Sequence, residues 1–135
     1  MSEFNFVKPG LNSVGQYQLS GIPYASHSIG VTNSAVTEVV FPTITKFVTV
    51  INSHSGSSSP IRVGFSELGV STNNHYFTLD NGESYTGEWR LASVYISGDV
   101  APSTASVIAG LTMIEINNLP NNWSGSDSIY NDGLG

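Results

Sequence analysis

The feature that most constrains the fold is a succession of short apolar runs separated by Gly, Pro, Asn and Ser. Several runs alternate apolar and polar residues, as where Ile61, Val63 and Phe65 share one face. This alternation has the period of a half-buried strand, and no run keeps a helical period. About eight or nine short strands spaced near ten residues apart predict an all-β protein. We expect a single β-sandwich or jelly-roll-like domain of about eight short antiparallel strands.

Individual strands follow from the runs and from the turn signals between them. Residues 15–29 read as extended, with a break at 21–23, and Ser66–Val70 predicts one helical turn that ends on glycine. Lys46–Asn52 is apolar on both faces, which predicts a central strand covered on both sides. The other predicted strands are Thr37–Phe41, Ile61–Phe65, Tyr76–Leu79, Tyr85–Leu91, Ser93–Ser97 and Ser106–Leu111, with Met113–Ile116 either extending the last or starting another.

The best turn signal is Asn81-Gly82. Asn-Gly supplies the two positive φ angles of a type I′ turn, so it predicts a hairpin between the strands on either side.

Two interpretations remain open for the aromatic residues that follow this turn. Tyr85, Gly87, Trp89 and Leu91 share one face of the predicted strand, which favours a place for Trp89 in the core. The alternative is a carbohydrate platform built from Trp89, Tyr85 and Tyr95, because aromatic faces stack on sugars.

The chain contains few charged residues. Asp, Glu, Lys and Arg make up 10% of it, against about 25% in typical soluble domains. Their place is taken by 21 Ser, 10 Thr and 12 Asn. A free monomer keeps a well-charged surface for solubility, so this composition favours packing within an assembly. The plainer interpretation is a neutral β-protein.

The net charge limits the classes of partner that the chain is expected to bind. The formal net charge is -6, and the cations are Lys8, Lys46, Arg62 and Arg90. Four scattered cations cannot neutralise a run of phosphates, which disfavours nucleic acid and an anionic membrane surface alike. We see neither an apolar run long enough to span a membrane nor a secretory signal at the N-terminus. The absence of cysteine excludes disulfides and thiolate metal sites.

The sequence contains no strong signature of a catalytic site. His27, His54 and His75 stand apart without a second ligand at metal-binding spacing, so neither a metal nor a cofactor is predicted. No serine lies in a Gly-x-Ser-x-Gly elbow. Residues 83 and 88 differ in parity and point to opposite faces of a strand, which argues against a glycosidase pair. We expect no enzymatic activity.

The remaining charged residues have structural interpretations. Asp80 and Glu83 flank the predicted turn and are expected to bond its backbone amides. Arg62 and Arg90 are expected to pair with Glu88 or Glu38, or to bridge to a neighbouring subunit.

The ends of the chain suggest contacts with partners. We divide the sequence into an N-terminal arm (1–14), a β-sandwich domain (15–118) and a C-terminal tail (119–135). The arm is expected either to form the first strand of the domain or to dock on a neighbouring subunit as an added strand. The candidate partner-binding residues are the apolar side chains of the arm and the tail, Phe4, Phe6, Val7, Leu11, Trp123 and Tyr130.

A further set of segments is structural rather than catalytic: Val14–Tyr24, Lys46–Val50, Ile61–Ser66, Asn81–Trp89 and Ala109–Thr112. Together these segments resemble small virion structural proteins of large marine double-stranded DNA viruses, both cyanophages and algal viruses. The resemblance covers roughly residues 14–126. Met113 departs from it where a small residue is expected, and the tail after Ser126 is longer than in the group.

The resemblance implies a capsid surface decoration or cement subunit, or a short fibre. We therefore expect a non-enzymatic virion protein, made in the host cytoplasm, that binds the major capsid protein or neighbouring virion subunits and forms a homo-oligomer. The alternative is a fibre or tail module that binds host-surface glycans.

Overall fold

The structure is a computed structural model that describes residues 21–72 and 74–116, together with the backbone of residues 123–124 and 130–131. These ranges contain ten strands and one short helix, α1. They are β1 (Ile22–Val31), β2 (Thr37–Val40), β3 (Thr45–Asn52), β4 (Ile61–Gly64), α1 (Glu67–Ser71), β5 (Tyr76–Leu79), β6 (Ser84–Gly87), β7 (Ser93–Gly98), β8 (Ser103–Leu111), β9 (Trp123–Ser124) and β10 (Tyr130–Asn131).

Eight of the strands form two four-stranded antiparallel sheets. Sheet I has the order β1-β8-β3-β6, and sheet II has the order β2-β7-β4-β5. Strand β1 pairs with β8, β2 with β7, β3 with β6 and β4 with β5, so the pairs are nested like one long hairpin rolled across two sheets. This nested pairing is the arrangement of a jelly roll, and the predicted all-β sandwich is confirmed.

Each sheet buries one face against the other. On β3, Val48 and Val50 are fully buried, whereas Thr49 and Ile51 on the opposite face are half-buried. Strand β3 is therefore an interior strand, as predicted, but its second face is only partly covered. A buried Val or Ile stabilises the fold by roughly 1.5–3 kcal/mol. The buried core consists of Val31, Val39, Phe41, Val48, Val50, Ile61, Val63, Leu79, Leu91, Val94, Ile96, Ala105, Val107, Ala109 and Leu111.

Helix α1 lies on the outer face of sheet II. The hydroxyl of Ser66 caps it by accepting a hydrogen bond from the backbone N–H of Gly69 at 3.0 Å. Val70 is fully buried over Gly64, where an added Cβ would lie 2.6 Å from Val70 Cγ2. The predicted helical turn is confirmed, although it ends at Ser71 rather than on glycine.

The predicted hairpin between β5 and β6 is wrong, because β5 belongs to sheet II and β6 to sheet I. The turn between them is closed by a 2.9 Å hydrogen bond from Glu83 N to Asp80 O. Of its two central residues only Gly82 has a positive φ, at 80°, whereas a type I′ turn requires it at Asn81 as well. The turn therefore carries the chain from one sheet to the other.

Asn52 is a fully buried polar residue at the end of β3. Its Nδ2 donates to the carbonyls of Ser59 at 2.9 Å and Leu79 at 3.0 Å. Its Oδ1 accepts from His54 N at 3.0 Å, and its own backbone N–H donates to Glu83 O at 2.9 Å. One side chain thus joins the loop after β3, the end of β5 and the crossing turn.

The segment after β8 differs from expectation. Residues 113–116 form no strand; Ile114 is instead fully buried against Ile44 in a second small cluster. Met113 is 64% exposed beside it. Beyond residue 122, β9 and β10 pair antiparallel as a short ribbon that was not predicted.

Candidate interaction surfaces

The structure describes no side chain of the six residues predicted to contact partners. Four of them lie outside the described residues: Phe4, Phe6, Val7 and Leu11. For Trp123 and Tyr130 only the backbone is described, in the β9–β10 ribbon. Their role therefore stays a prediction.

The first surface that the described residues present is the outer face of sheet I, which we name the uncharged face. Residues that are paired across the four strands form three rows on this face. None of these positions carries a formal charge; the nearest charged residues in sequence are Lys46, at the register shift of β3, and Glu83 and Glu88, directly before and after β6. The rows are Pro23, Gly110 and Phe47; then Ala25, Ile108, Thr49 and Thr86; then His27, Ser106, Ile51 and Ser84.

The middle of the uncharged face combines exposed apolar and hydroxyl groups. Ile108 is 42% exposed although it lies in an interior strand. Beside it the hydroxyls of Thr49 and Thr86 bond each other across strands at 2.7 Å. The ring of Phe47 lies over Gly110, where an added Cβ would come within 2.4 Å of its Cε1. The face is therefore built mainly from small and apolar side chains.

One corner of the uncharged face contains a β-bulge. The pairing of β1 shifts between Ser26 and Ile29, and Ser28 has a φ of 56°. The bulge brings His27 Nδ1 to 2.8 Å from Ser106 Oγ. The Ser106 hydroxyl is also hydrogen-bonded to Ser53 Oγ at 3.1 Å. Which of His27 and Ser106 donates to the other depends on the tautomer of the imidazole.

The second surface is the open side of the sandwich between β5 and β6, closed by four aromatic side chains that we name the aromatic rim. Phe77 of β5 and Tyr85 of β6 meet across the gap with centroids 5.3 Å apart. Tyr85 stacks on Trp89, with centroids 5.8 Å apart and planes 17° apart. Phe65 meets Trp89 edge-on at 5.2 Å. Tyr85 is 52% exposed, and the other three are half-buried.

The chain around Trp89 is fixed by a buried hydroxyl. Strand β6 ends at Gly87, and the indole of Trp89 folds back so closely that an added Cβ at Gly87 would lie 2.2 Å from its Cε2. Thr45, fully buried, donates its hydroxyl to Trp89 O at 2.6 Å and accepts from Leu91 N at 2.9 Å. The rim thus stands on a rigid stretch of backbone.

The placement of these aromatic residues corrects the predicted core face. Gly87 and Leu91 are buried as expected, but the strand ends before Trp89, which sits at the edge of the core rather than at its centre. Tyr95 is on a different surface, because β7 presents it on the outer face of sheet II, paired with Glu38. The alternative of an aromatic platform therefore stays open for Tyr85 and Trp89, without Tyr95.

A polar groove of about 440 Å³ lies on the outer side of sheet II, between α1, the loop after β1 and the end of β7. Arg62 on its wall pairs with Asp99 at 2.7 Å, rather than with Glu38 or Glu88 as predicted. The guanidinium also donates to the carbonyls of Val70 and Ser71 at 3.2 and 3.3 Å. Arg62 is thereby committed to holding α1 on the sheet. The predicted pairing of Arg90, which is exposed, stays a prediction.

The acidic residues at the crossing turn bond its backbone, as predicted. Glu83 Oε1 accepts from Asp80 N at 2.7 Å, and Asp80 Oδ1 accepts from Ser58 Oγ at 2.7 Å and Asn81 N at 2.8 Å. The hydrogen bond from Ser58, followed by that from Asn81, lowers the pKa of Asp80 below its ordinary value, because both favour the charged form. These carboxylates serve the turn.

Among the described residues no group of three or more His, Cys, Asp or Glu side chains is gathered for metal binding. Within the same ranges no helix is long and apolar enough to cross a membrane.

Comparison with known proteins adds no family: no family model matches the chain, and no curated protein matches it.

Proposed function

We propose that the protein is a non-enzymatic virion structural protein, a decoration or cement subunit of the capsid surface, and that its uncharged face packs on a neighbouring virion subunit. The observation that carries the proposal is the three rows of sheet I, which expose Ile108 and hold no formal charge. The centres of protein interfaces are depleted of charge in the same way. The neighbouring subunit is the major capsid protein or another copy of this chain.

The proposed role is adhesion, and its driving force is the burial of uncharged and apolar surface. An uncharged face lacks charged groups to desolvate, so removing its Ile108, Pro23 and Ala25 side chains from water is favourable. A rigid sandwich also loses little conformational freedom when it docks. One such contact is weak, but repetition on a symmetric shell multiplies weak contacts when subunits are linked.

Two general considerations support the same reading. Jelly rolls occur among viral capsid domains and lectins, although this is a fold-level analogy, since one fold hosts many functions. The low charged fraction, 10% of residues, suits a surface that is buried in an assembly.

The uncharged face is tested by a charge placed at its centre. We expect Ile108→Glu to remain folded, since the side chain is 42% exposed, but to lose attachment to virus particles. Val100→Glu is the matched control, because Val100 is 71% exposed in the loop after β7 and away from the uncharged face. Occupancy on purified particles from the source culture is measured by quantitative mass spectrometry. Equal occupancy of the two variants would contradict the proposed face.

The predicted arm needs a separate experiment. Deleting residues 1–13 is expected to leave a folded domain that no longer joins the particle, and full occupancy of the truncated chain would remove the arm from the proposal. Native mass spectrometry of the purified chain distinguishes the two roles. A trimer or pentamer supports a surface spike, whereas a monomer that binds only assembled particles supports a cement subunit.

A further inference from the structure

We infer that the aromatic rim is a binding site for neutral carbohydrate, with the exposed ring of Tyr85, supported by the stacked indole of Trp89, as the platform. This site lies on the open side of the sandwich rather than on the uncharged face. It is independent of whether the chain sits on a virion.

The platform has the geometry that sugar stacking requires. The rings of Tyr85 and Trp89 are nearly parallel and stacked, with centroids 5.8 Å apart and planes 17° apart, so the indole supports the Tyr85 ring, which is the exposed ring of the pair. Tyr85 is 52% exposed, unusual for an aromatic residue whose backbone pairs within a sheet. The negative face of an aromatic ring attracts the C–H groups that line the apolar side of a pyranose.

The platform is preorganised. Trp89 is held from below by Gly87, from its edge by the ring of Phe65 at 5.2 Å, and through its backbone by the Thr45 hydroxyl. Tyr85 leans on Phe77, whose centroid is 5.3 Å away. Because these rings are already ordered, a ligand that stacks on them incurs little of the entropic cost of ordering side chains.

The charges beside the platform select the ligand class. Glu88 and Arg90 flank Trp89 along the chain and are both exposed, so this segment carries one acceptor and one donor of the kind that bind sugar hydroxyls. Single-stranded nucleic acid also stacks on aromatic rings, but it needs a cationic groove along its phosphates. Residues 83–90 contain Glu83, Glu88 and a single cation, Arg90. A neutral oligosaccharide therefore fits better than an anionic glycan or a nucleic acid.

The experiment measures binding of the purified chain to neutral hexasaccharides of glucose, mannose, galactose and N-acetylglucosamine, beside sialylated and sulfated glycans and oligothymidine. We expect binding to at least one neutral series. Tyr85→Ala should weaken it about tenfold through the loss of one stacked ring, whereas Tyr85→Phe keeps the ring and should bind within about twofold of the natural chain. The indole N–H signal of Trp89, assigned through Trp89→Phe, should shift when the sugar is added.

The inference is overturned if no neutral series binds, if Tyr85→Ala binds as the natural chain does, or if the anionic probes bind more tightly. It is also overturned if Tyr85→Ala loses particle attachment while no sugar binds, since the rim would then be a protein contact. Ile108→Glu keeps the two proposals apart, because it should leave sugar binding unchanged.

Discussion

The outer faces of the two sheets are made by the same strand alternation and are completed in opposite ways. Sheet II carries Arg62, which pairs with Asp99, and a helix that covers Gly64 with the buried side chain of Val70. Sheet I presents the uncharged face around Ile108. On sheet II, the charged side chain of Arg62 is paired and Gly64 is covered within the fold. The uncharged face of sheet I is instead suited to contact with a partner. This contrast is why we propose sheet I, rather than sheet II, as the contact surface.

The largest expected effect comes from adding a methyl group to one glycine on each face. Gly64→Ala should lower the free energy of unfolding by about 1–3 kcal/mol, because the new Cβ would meet Val70 and also the backbone oxygen of His75 at 2.8 Å. Gly110→Ala should cost less, because its close contacts are with the ring of Phe47, which can swing outward. Urea unfolding at constant slope measures both. An equal or larger loss at Gly110 would contradict the contrast.

A smaller effect is expected from polar groups on the two faces. Arg62→Met should cost about 1–2 kcal/mol, since it leaves Asp99 and two helix carbonyls without their donor. Thr49→Val, which removes the exposed hydroxyl pair with Thr86, should change stability by less than about 0.5 kcal/mol. Thermal unfolding of the two variants compares them. If Thr49→Val were the more damaging, sheet I would depend on its polar contacts more than its exposure suggests.

The smallest effect concerns the turn that joins the sheets. The pKa of Asp80 is lower in the folded chain than its ordinary value of about 4. Its stabilising contribution is therefore complete above that value and is lost as the pH falls through the folded pKa. We expect Asp80→Asn to flatten slightly the loss of stability as the pH falls below about 4. Urea midpoints across this range measure it, and an unchanged profile in Asp80→Asn would contradict it.

Several elements were predictable from local sequence. The alternation of Ile61, Val63 and Phe65 predicted β4, and the stretch Ser66–Val70 predicted the helical turn, which the structure shows to be capped by Ser66. Local patterns succeed here because side chains on a strand or in a first helical turn report which face is buried and which backbone donors need a cap.

The candidate surfaces were less predictable. The position of Trp89 depends on the backbone that follows β6, and this backbone is bonded at Trp89 O by the buried Thr45 hydroxyl, 44 residues away in the chain. The partner of Arg62 is Asp99, 37 residues away, whereas Glu38 or Glu88 was the expected partner within the chain. Pairs so distant along the chain leave no mark in a local pattern.

What the sequence by itself determined is the class of the protein: an undercharged, cysteine-free, all-β chain of short alternating strands. Only the tertiary structure decided how the strands pair. Asn81-Gly82 specified a turn but not that the chain would cross between sheets there, and Asn52 looked like the end of a strand until its buried amide joined three segments. The reason is physical: alternation fixes which face of a strand avoids water, whereas the choice among strands with similar faces is made by contacts that exist only after folding.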